Sequence, residues 1–254
     1  MSINAEDLNY WETNGLLCLK RFFSAPCIKR VLESVHDMET RCGDTPWMSH
    51  YEEVNGIPQL CRVEDFIFYQ AELKAMIIGE KLIGTVSKLL REDACLYKEK
   101  INFKLPGGAG YSPHQDAPAY PHIKHHITCM VALDSSTKEN GCLEFAKAQH
   151  MKGLLPMNDE GCLTSDMADT MLWEPCDAEP GDVVFFSSLT PHRSGLNKSS
   201  RPRRSLYLTY NALSEGDLRA RYYEEKKQTF EKGHSNQQKT RLSLIGHFQG
   251  KAAK

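Results

Sequence analysis

The chain has 254 residues, 41% hydrophobic and 25% charged, a size at which one domain buries roughly 70–75% of its unfolded surface. Its longest apolar runs, such as Val183 to Phe186, fall far short of the roughly 20 residues of a membrane span, which excludes a membrane-embedded protein. A net charge of -2 supplies no overall basic field, so nucleic acid is a poor partner, although Arg201 to Arg204 forms a local basic cluster that needs a reason.

The opening residues MSINAEDLNYWETNG contain no basic segment leading into an apolar stretch, so no secretory signal is expected and the cytoplasm is the expected compartment. The nine cysteines are an odd number without a C-x-x-C pair and read as reduced, mostly buried thiols. A short extended piece, Leu16 to Leu19, follows Asn14-Gly15. Ser24 then stands at an N-cap position before Ile28, Val31, Leu32, Val35 and Met38, whose three-and-four spacing predicts one buried helix face, with Gly43 just past its end. Residues 44 to 66, with Pro46, Gly56 and Pro58, read as loop. Leu73, Ile77, Leu82, Val86, Leu89 and Leu90 predict one helix, or two broken near Gly79. Residues 1–92 are therefore expected to be mainly helical scaffold.

After Asp93 the texture changes. Leu96 to Lys104, Ile127 to Leu133, Cys142 to Phe145, Asp182 to Phe186 and Ser205 to Tyr210 are short, rich in β-branched or aromatic residues, and separated by turn residues. Residues 93–213 are thus expected to form an antiparallel β barrel or sandwich. From 214 to 254 the composition turns charged, which predicts a last helix and a frayed tail. No internal repeat or linker divides the chain, so one mainly β domain with helical additions is expected over 1–254.

The sharpest local feature is His114-Gln115-Asp116, placed after Gly107-Gly108-Ala109-Gly110. If His114 ends a strand, residues i and i+2 point to the same side and can meet one ion. A distant histidine would complete a two-His-one-carboxylate face, the arrangement that holds non-heme Fe(II) with positions open for co-substrate and oxygen. His192 is the candidate, because Pro180 to Phe186 reads as a turn feeding a strand just before it. A surface loop with two polar residues would produce the same triplet. Eleven residues past His192, Arg203 on a returning strand could clamp the carboxylate of 2-oxoglutarate. The same basic run also fits a solvated hairpin or a phosphate-binding patch.

Taken together, His114-Gln115-Asp116, Glu139 to Leu143, Pro180-Gly181-Asp182 and His192 through Arg204 resemble the phytanoyl-CoA dioxygenase family, a branch of Fe(II)/2-oxoglutarate oxygenases that includes ectoine hydroxylase. Asn14 to Ser24 and Arg219 to Lys227 also resemble that family's two ends, so the likeness covers nearly the whole chain. It implies a double-stranded β-helix (jelly-roll, cupin-like) core, with His114, Asp116 and His192 as ligands of Fe(II). It implies Arg203 as partner of the distal 2-oxoglutarate carboxylate, with Arg204 as near competitor. Asn102, Tyr111, Thr128 and Ser194 match further co-substrate contacts. Arg193 stands where relatives commonly carry glycine.

The implied reaction uses O2 to convert 2-oxoglutarate to succinate and carbon dioxide while an aliphatic carbon gains a hydroxyl. Asp116 is present where related halogenases carry a small residue, so hydroxylation is expected rather than halogenation. Arg62, Tyr120, Trp173 and Arg193 suggest a small zwitterion: a betaine, an ectoine-like imino acid or an aminoethylphosphonate. An acyl-CoA or other lipid-like substrate, a non-catalytic jelly-roll sensor and a zinc hydrolase are the alternatives. His122, His125 and His126 read as a lid loop or strand start rather than a second metal site. The residues are silent on oligomeric state.

Overall fold

The computed structural model describes residues 3–41, 45–54 and 56–232. Helix α1 (Ala5–Asn14) opens on a reciprocal cap between Asn4 and Asp7 and stops at Gly15, whose φ of 66° suits a residue without a Cβ. Strand β1 (Leu16–Leu19) and helix α2 (Ala25–Thr40) follow. Helix α2 buries Ile28, Val31, Val35 and Met38, the face its spacing predicts. Ser24 occupies the N-cap position, but its side chain makes no capping bond. Gly43 lies outside the described residues.

The loop expected over 44 to 66 is instead a hairpin of β2 (Met48–Val54) and β3 (Ile57–Glu64). Gly56, at φ 78°, supplies the turn. Pro58 is tolerated because β4 pairs with β3 only over Arg62 to Glu64, so Pro58 meets β2 alone. Helices α3 (Ala71–Ile77) and α4 (Glu80–Leu90) break at Gly79, where a Cβ would come within 2.4 Å of the Ala75 carbonyl oxygen.

The β region then runs through β4 (Ala94–Lys104), β5 (Tyr111–His114), β6 (His126–Ala132) and β7 (Leu143–Phe145). It continues through helix α5 (Ser165–Asp169) and strands β8 (Glu174–Cys176), β9 (Val183–Ser187), β10 (His192–Ser194) and β11 (Arg203–Ala212). Helix α6 (Arg219–Lys232) ends the described chain, and the expected tail from 233 lies outside the described residues.

Two antiparallel sheets result, a seven-stranded one in the order β1-β9-β6-β11-β4-β3-β2 and a four-stranded one in the order β5-β10-β7-β8. One face of the large sheet, with Ile101, Phe103, Val131, Phe185, Leu206 and Leu208, packs on helices α2, α3 and α4 and forms the main core. The opposite face meets Leu143 and Phe145 of the small sheet through Leu16, Met130, Val184, Phe186 and Tyr207. Because side chains alternate along a strand, the register places Arg62, Asn102 and Ser205 in one row of this inner face. Glu64, Lys100, Tyr207 and Met130 form the next row, and Lys98, Thr209 and Thr128 the one beyond. The space between the sheets is therefore apolar at one side and strongly polar at the other.

Candidate active site

His114 closes β5 and is the cross-strand partner of His192 on β10. The intervening Gln115 turns away and is buried, donating to the Gly153 and Leu189 carbonyls and accepting from Leu155 N–H, which ties three loops behind the site. Asp116 thereby returns to the side of His114. Donor atoms of His114, Asp116 and His192 lie within 4.8 Å of one another, and all three residues are buried. Among the described residues no other such group of three His, Cys, Asp or Glu occurs.

The orientation of each ligand is set from behind. His114 Nδ1 donates to the Ser112 carbonyl at 2.7 Å and His192 Nδ1 to the Thr190 carbonyl at 3.1 Å. Each ring thus keeps its proton on Nδ1 and presents a bare Nε2, 3.9 and 3.8 Å from Asp116 Oδ1. Thr128 Oγ1 donates to Asp116 Oδ2 at 2.6 Å, leaving Oδ1 for the center of the triad. Burial, with His192 alongside, drives His114 down to about 3, and burial likewise lowers His192. Burial would raise Asp116, but His192, His114 and Lys100 outweigh it and hold the carboxyl at about 2. Two neutral imidazoles and one carboxylate on a single face are the donor set that suits non-heme Fe(II) with open positions.

Among the described residues, the buried polar atoms of the inner face without a hydrogen-bond partner include Arg203 Nε, Ser205 Oγ, Asn102 Oδ1 and Arg62 Nε, with both ring nitrogens of His126 farther along β6. Each is costly to bury empty, so together they outline a place for a polar ligand. Arg203 is 1% exposed, donates to Ser136 Oγ at 3.3 Å, and has no carboxylate in ion-pair range among the described residues. Arg204 points to the other side of β11, where Asp134 and Glu39 engage its guanidinium. Of the two arginines, only Arg203 therefore faces the space between the sheets.

Lys104, opposite Arg203 in the register, donates to Ser194 Oγ at 2.9 Å and to the Gly195 carbonyl at 2.6 Å. Burial, with Arg203 nearby, brings it to about 7. This close packing needs Gly141, whose φ is 74° and where a Cβ would fall 2.3 Å from the Gly195 oxygen. Tyr111 OH accepts from Arg62 at 3.2 Å. The Thr128 hydroxyl hydrogen is engaged in the hydrogen bond to Asp116, so the group offers a co-substrate only acceptor capacity.

A second cationic group shares this face. Glu64 is fully buried and accepts from Arg62 at 3.4 Å, with Lys98 at 3.8 Å and Lys226 of α6 also paired to it. Tyr120 is buried beside Lys98, 3.4 Å from its Nζ, with its ring against His126 and Tyr222. Lys98, Lys100 and Lys104 were not picked out from the sequence. Their period-two spacing with Asn102, in the run KEKINFK from Lys98 to Lys104, is the signal that places them on one face of a strand.

Arg193 and Trp173 do not join this cavity. Arg193 follows His192 on β10 and therefore faces the other way, pairing with Glu144 at 2.6 Å and stacking on the Trp173 ring at 4.6 Å. His122 pairs with Glu225 and His125 with Glu215, consistent with their reading as loop histidines.

Comparison with known proteins agrees with this geometry. The methylphosphonate hydroxylase of Gimesia maris is 42% identical over 254 residues, covering 99% of this chain and 98% of that protein. A 2-aminoethylphosphonate dioxygenase from an uncultured bacterium is 41% identical over 232 residues, covering 89% and 88%. In fold, the chain is similar to EctD from S. alaskensis, solved with 2-oxoglutarate and 5-hydroxyectoine, at a TM-score of 0.72 and 17% identity over 84% of this chain and 77% of that one. The two-sheet core is thus a double-stranded β-helix. The family described as Phytanoyl-CoA dioxygenase matches residues 11–205, and with the His-Asp-His face in place the chain belongs to this family of Fe(II)- and 2-oxoglutarate-dependent dioxygenases.

Proposed function

We propose that this enzyme hydroxylates the carbon attached to phosphorus in a small alkylphosphonate. The observation that carries the reading is the surplus of cations on the inner face. Arg62, Lys98, Lys100, Lys104 and Arg203 share it with the carboxylates Glu64 and Asp116. Counted formally with Lys226, which is paired to Glu64, and the buried Glu52 beside Lys104, six positive groups against three negative ones leave three positive. Fe(II) adds two and 2-oxoglutarate removes two, so three still await compensation. A phosphonate dianion suits that field, whereas a betaine or ectoine-type zwitterion brings no net charge to it. Relatives named for methylphosphonate and 2-aminoethylphosphonate, at 42% and 41% identity, support the same substrate class.

In this reading His114, Asp116 and His192 hold the metal, while Arg203, aided by Lys104, holds the distal carboxylate of 2-oxoglutarate beside Asn102, Ser205, Tyr111 and Ser194. Bound Fe(II) supplies the oxidative chemistry, in which O2 and 2-oxoglutarate become succinate, carbon dioxide and the new hydroxyl of the substrate. The protein's own part is orientation. Carbonyls of Ser112 and Thr190 fix the imidazole tautomers, and Thr128 fixes the carboxylate. Arg62 and Tyr120 belong to the substrate side of the cavity.

The same reading places the enzyme in the cytoplasm, acting on a free metabolite and not on nucleic acid. Its described cysteines form no disulfide, and no described helix is long and apolar enough to cross a membrane. The test is succinate formation and oxygen uptake with 2-oxoglutarate and, in turn, methylphosphonate, 2-aminoethylphosphonate, glycine betaine, ectoine and an acyl-CoA, with phosphorus NMR of the products. Stimulation by a phosphonate, with a new hydroxymethylene or hydroxymethyl phosphorus signal, is expected. Stimulation by betaine, ectoine or acyl-CoA with none by either phosphonate overturns the proposal.

A further inference from the structure

Lys100, Lys104 and Arg203 all lack a carboxylate in ion-pair range among the described residues, but Lys104 and Arg203 are held by hydrogen bonds to Ser194, Gly195 and Ser136, whereas Lys100 has no hydrogen-bond partner there. Strand pairing sets Glu64 directly opposite it, and an acidic residue in that position ordinarily pairs with the lysine across the ladder. Here the Glu64 carboxylate is occupied by Arg62, Lys98 and Lys226, with His50 at 3.7 Å. Among the described residues no carboxylate lies within ion-pair distance of Lys100 Nζ, whose one defined neighbor is the Tyr207 ring, 5.1 Å from nitrogen to centroid. Burial, then Lys98 and Arg62, push this ammonium well below the usual lysine range. Such a shift marks a charge that lacks compensation until something brings it.

Position narrows what that something is. Lys100 lies one row from Asn102, Ser205 and Arg62, with their orphaned polar atoms, and one row from Thr128, which holds Asp116. Its charge is felt by all three members of the triad. The far carboxylate of 2-oxoglutarate is matched by Arg203 and Lys104, and its other end belongs to the metal. A cation left over beside the metal is therefore well placed for an anionic group one bond away from the carbon that reacts.

Resting on the phosphonate reading above, we infer that Lys100 binds a phosphonate oxygen of the substrate directly, and that Glu64 is held by Arg62, Lys98 and Lys226 so that Lys100 stays available. A charge-assisted hydrogen bond of this kind contributes about 1.5–3 kcal/mol, which is roughly a 10- to 150-fold change in affinity.

The experiment uses the full chain loaded with Fe(II), comparing wild type with Lys100→Met, Lys100→Gln and Lys100→Arg. KM and kcat for methylphosphonate are measured alongside the dissociation constant of 2-oxoglutarate and the slow 2-oxoglutarate turnover without substrate. Expected are a KM raised about 10- to 150-fold in K100M and K100Q, substantial recovery in K100R, and 2-oxoglutarate affinity within about twofold of wild type. An unchanged methylphosphonate KM in any folded neutral variant overturns the assignment while leaving the phosphonate reading intact. A loss of 2-oxoglutarate affinity matching the loss for methylphosphonate also overturns it, by moving Lys100 to the co-substrate. If wild type ignores every phosphonate, the substrate reading falls, and this inference with it.

Discussion

Replacing Arg203 by methionine is expected to separate two quantities that usually fall together, ligand affinity and stability. Arg203 is 1% exposed, and among the described residues its Nε has no hydrogen-bond partner and no carboxylate pairs with it. Removing it relieves a buried unsatisfied donor, worth about 1–3 kcal/mol, against the loss of a weak hydrogen bond to Ser136 and of the interaction with the Tyr207 hydroxyl. The variant's ligand-free melting temperature is therefore expected to hold or to rise, by about 2–4 °C per kcal/mol gained. With 2-oxoglutarate present the sign reverses. Taking one partner from a buried ion pair costs about 3–5 kcal/mol, or roughly 150- to 5,000-fold in affinity. Lys104 stands opposite on β4 and retains part of the positive field, so a loss near the lower end, on the order of 10²-fold, is expected. The assay pairs calorimetric titration of 2-oxoglutarate into Fe(II)-loaded protein under argon with a thermal melt of the ligand-free form. Arg204→Met is the control, since Asp134 and Glu39 already occupy that guanidinium. It should lose a little stability and keep 2-oxoglutarate affinity. A folded R203M with affinity within threefold of wild type, or the loss appearing in R204M instead, refutes the reasoning.

Thr128→Val removes the donor that fixes Asp116 Oδ2, and Fe(II) affinity measured by competitive chelation is expected to fall about 10- to 100-fold with the fold intact. Burial holds Lys104 at about 7, against 10.5 for an ordinary lysine. Between those values the unfolded chain binds a proton that the folded one lacks, so this residue's contribution to stability rises with pH across the window and is lost as pH falls through 7. The protonated form favors 2-oxoglutarate, so the dissociation constant should climb as pH rises above about 7, and Lys104→Met should flatten that dependence in calorimetry at several pH values. Arg193→Ala breaks a partly exposed pair with Glu144 on the outer face, so kcat and KM for any accepted substrate should stay within about twofold. A tenfold rise in KM would put Arg193 back at the substrate.

The helices and central strands were legible because their faces bury different things. Helix α2 shows one apolar stripe, and β9 is a continuous apolar run with cover on both sides. The β2–β3 hairpin was not, since Ile57 is 62% exposed, β2 is the edge strand and β3 meets β4 only over Arg62 to Glu64, so burial imposes little alternation on the rest. Asn55-Gly56 was a hairpin signal in plain view, overshadowed by prolines that an edge position accommodates. The triad was legible because H-x-D obliges two ligands onto one side of a strand end. The lysines of β4 were passed over because lysine is so seldom buried, although nothing in their spacing hid them.

Parity along a strand settles more of the site than motif matching does, and it also shows where such reading stops. On β11, Leu206, Leu208 and Tyr210 mark the side facing the helices. Arg204 shares their parity and Arg203 does not, so the guanidinium that can enter the cavity follows from the alternation alone. By the same count Arg193 cannot share a face with His192, and adjacency in the sequence is enough to remove it from the substrate side. Strand β6 defeats the method. All of its residues, His126–Ala132, are buried, so polar and apolar positions carry no alternation, and Thr128 becomes recognizable as the partner of Asp116 only when the fold closes the distance between them. The residues that orient the metal ligands therefore come from contacts between strands far apart in the chain, while those that supply charge to the cavity follow a periodicity within single strands.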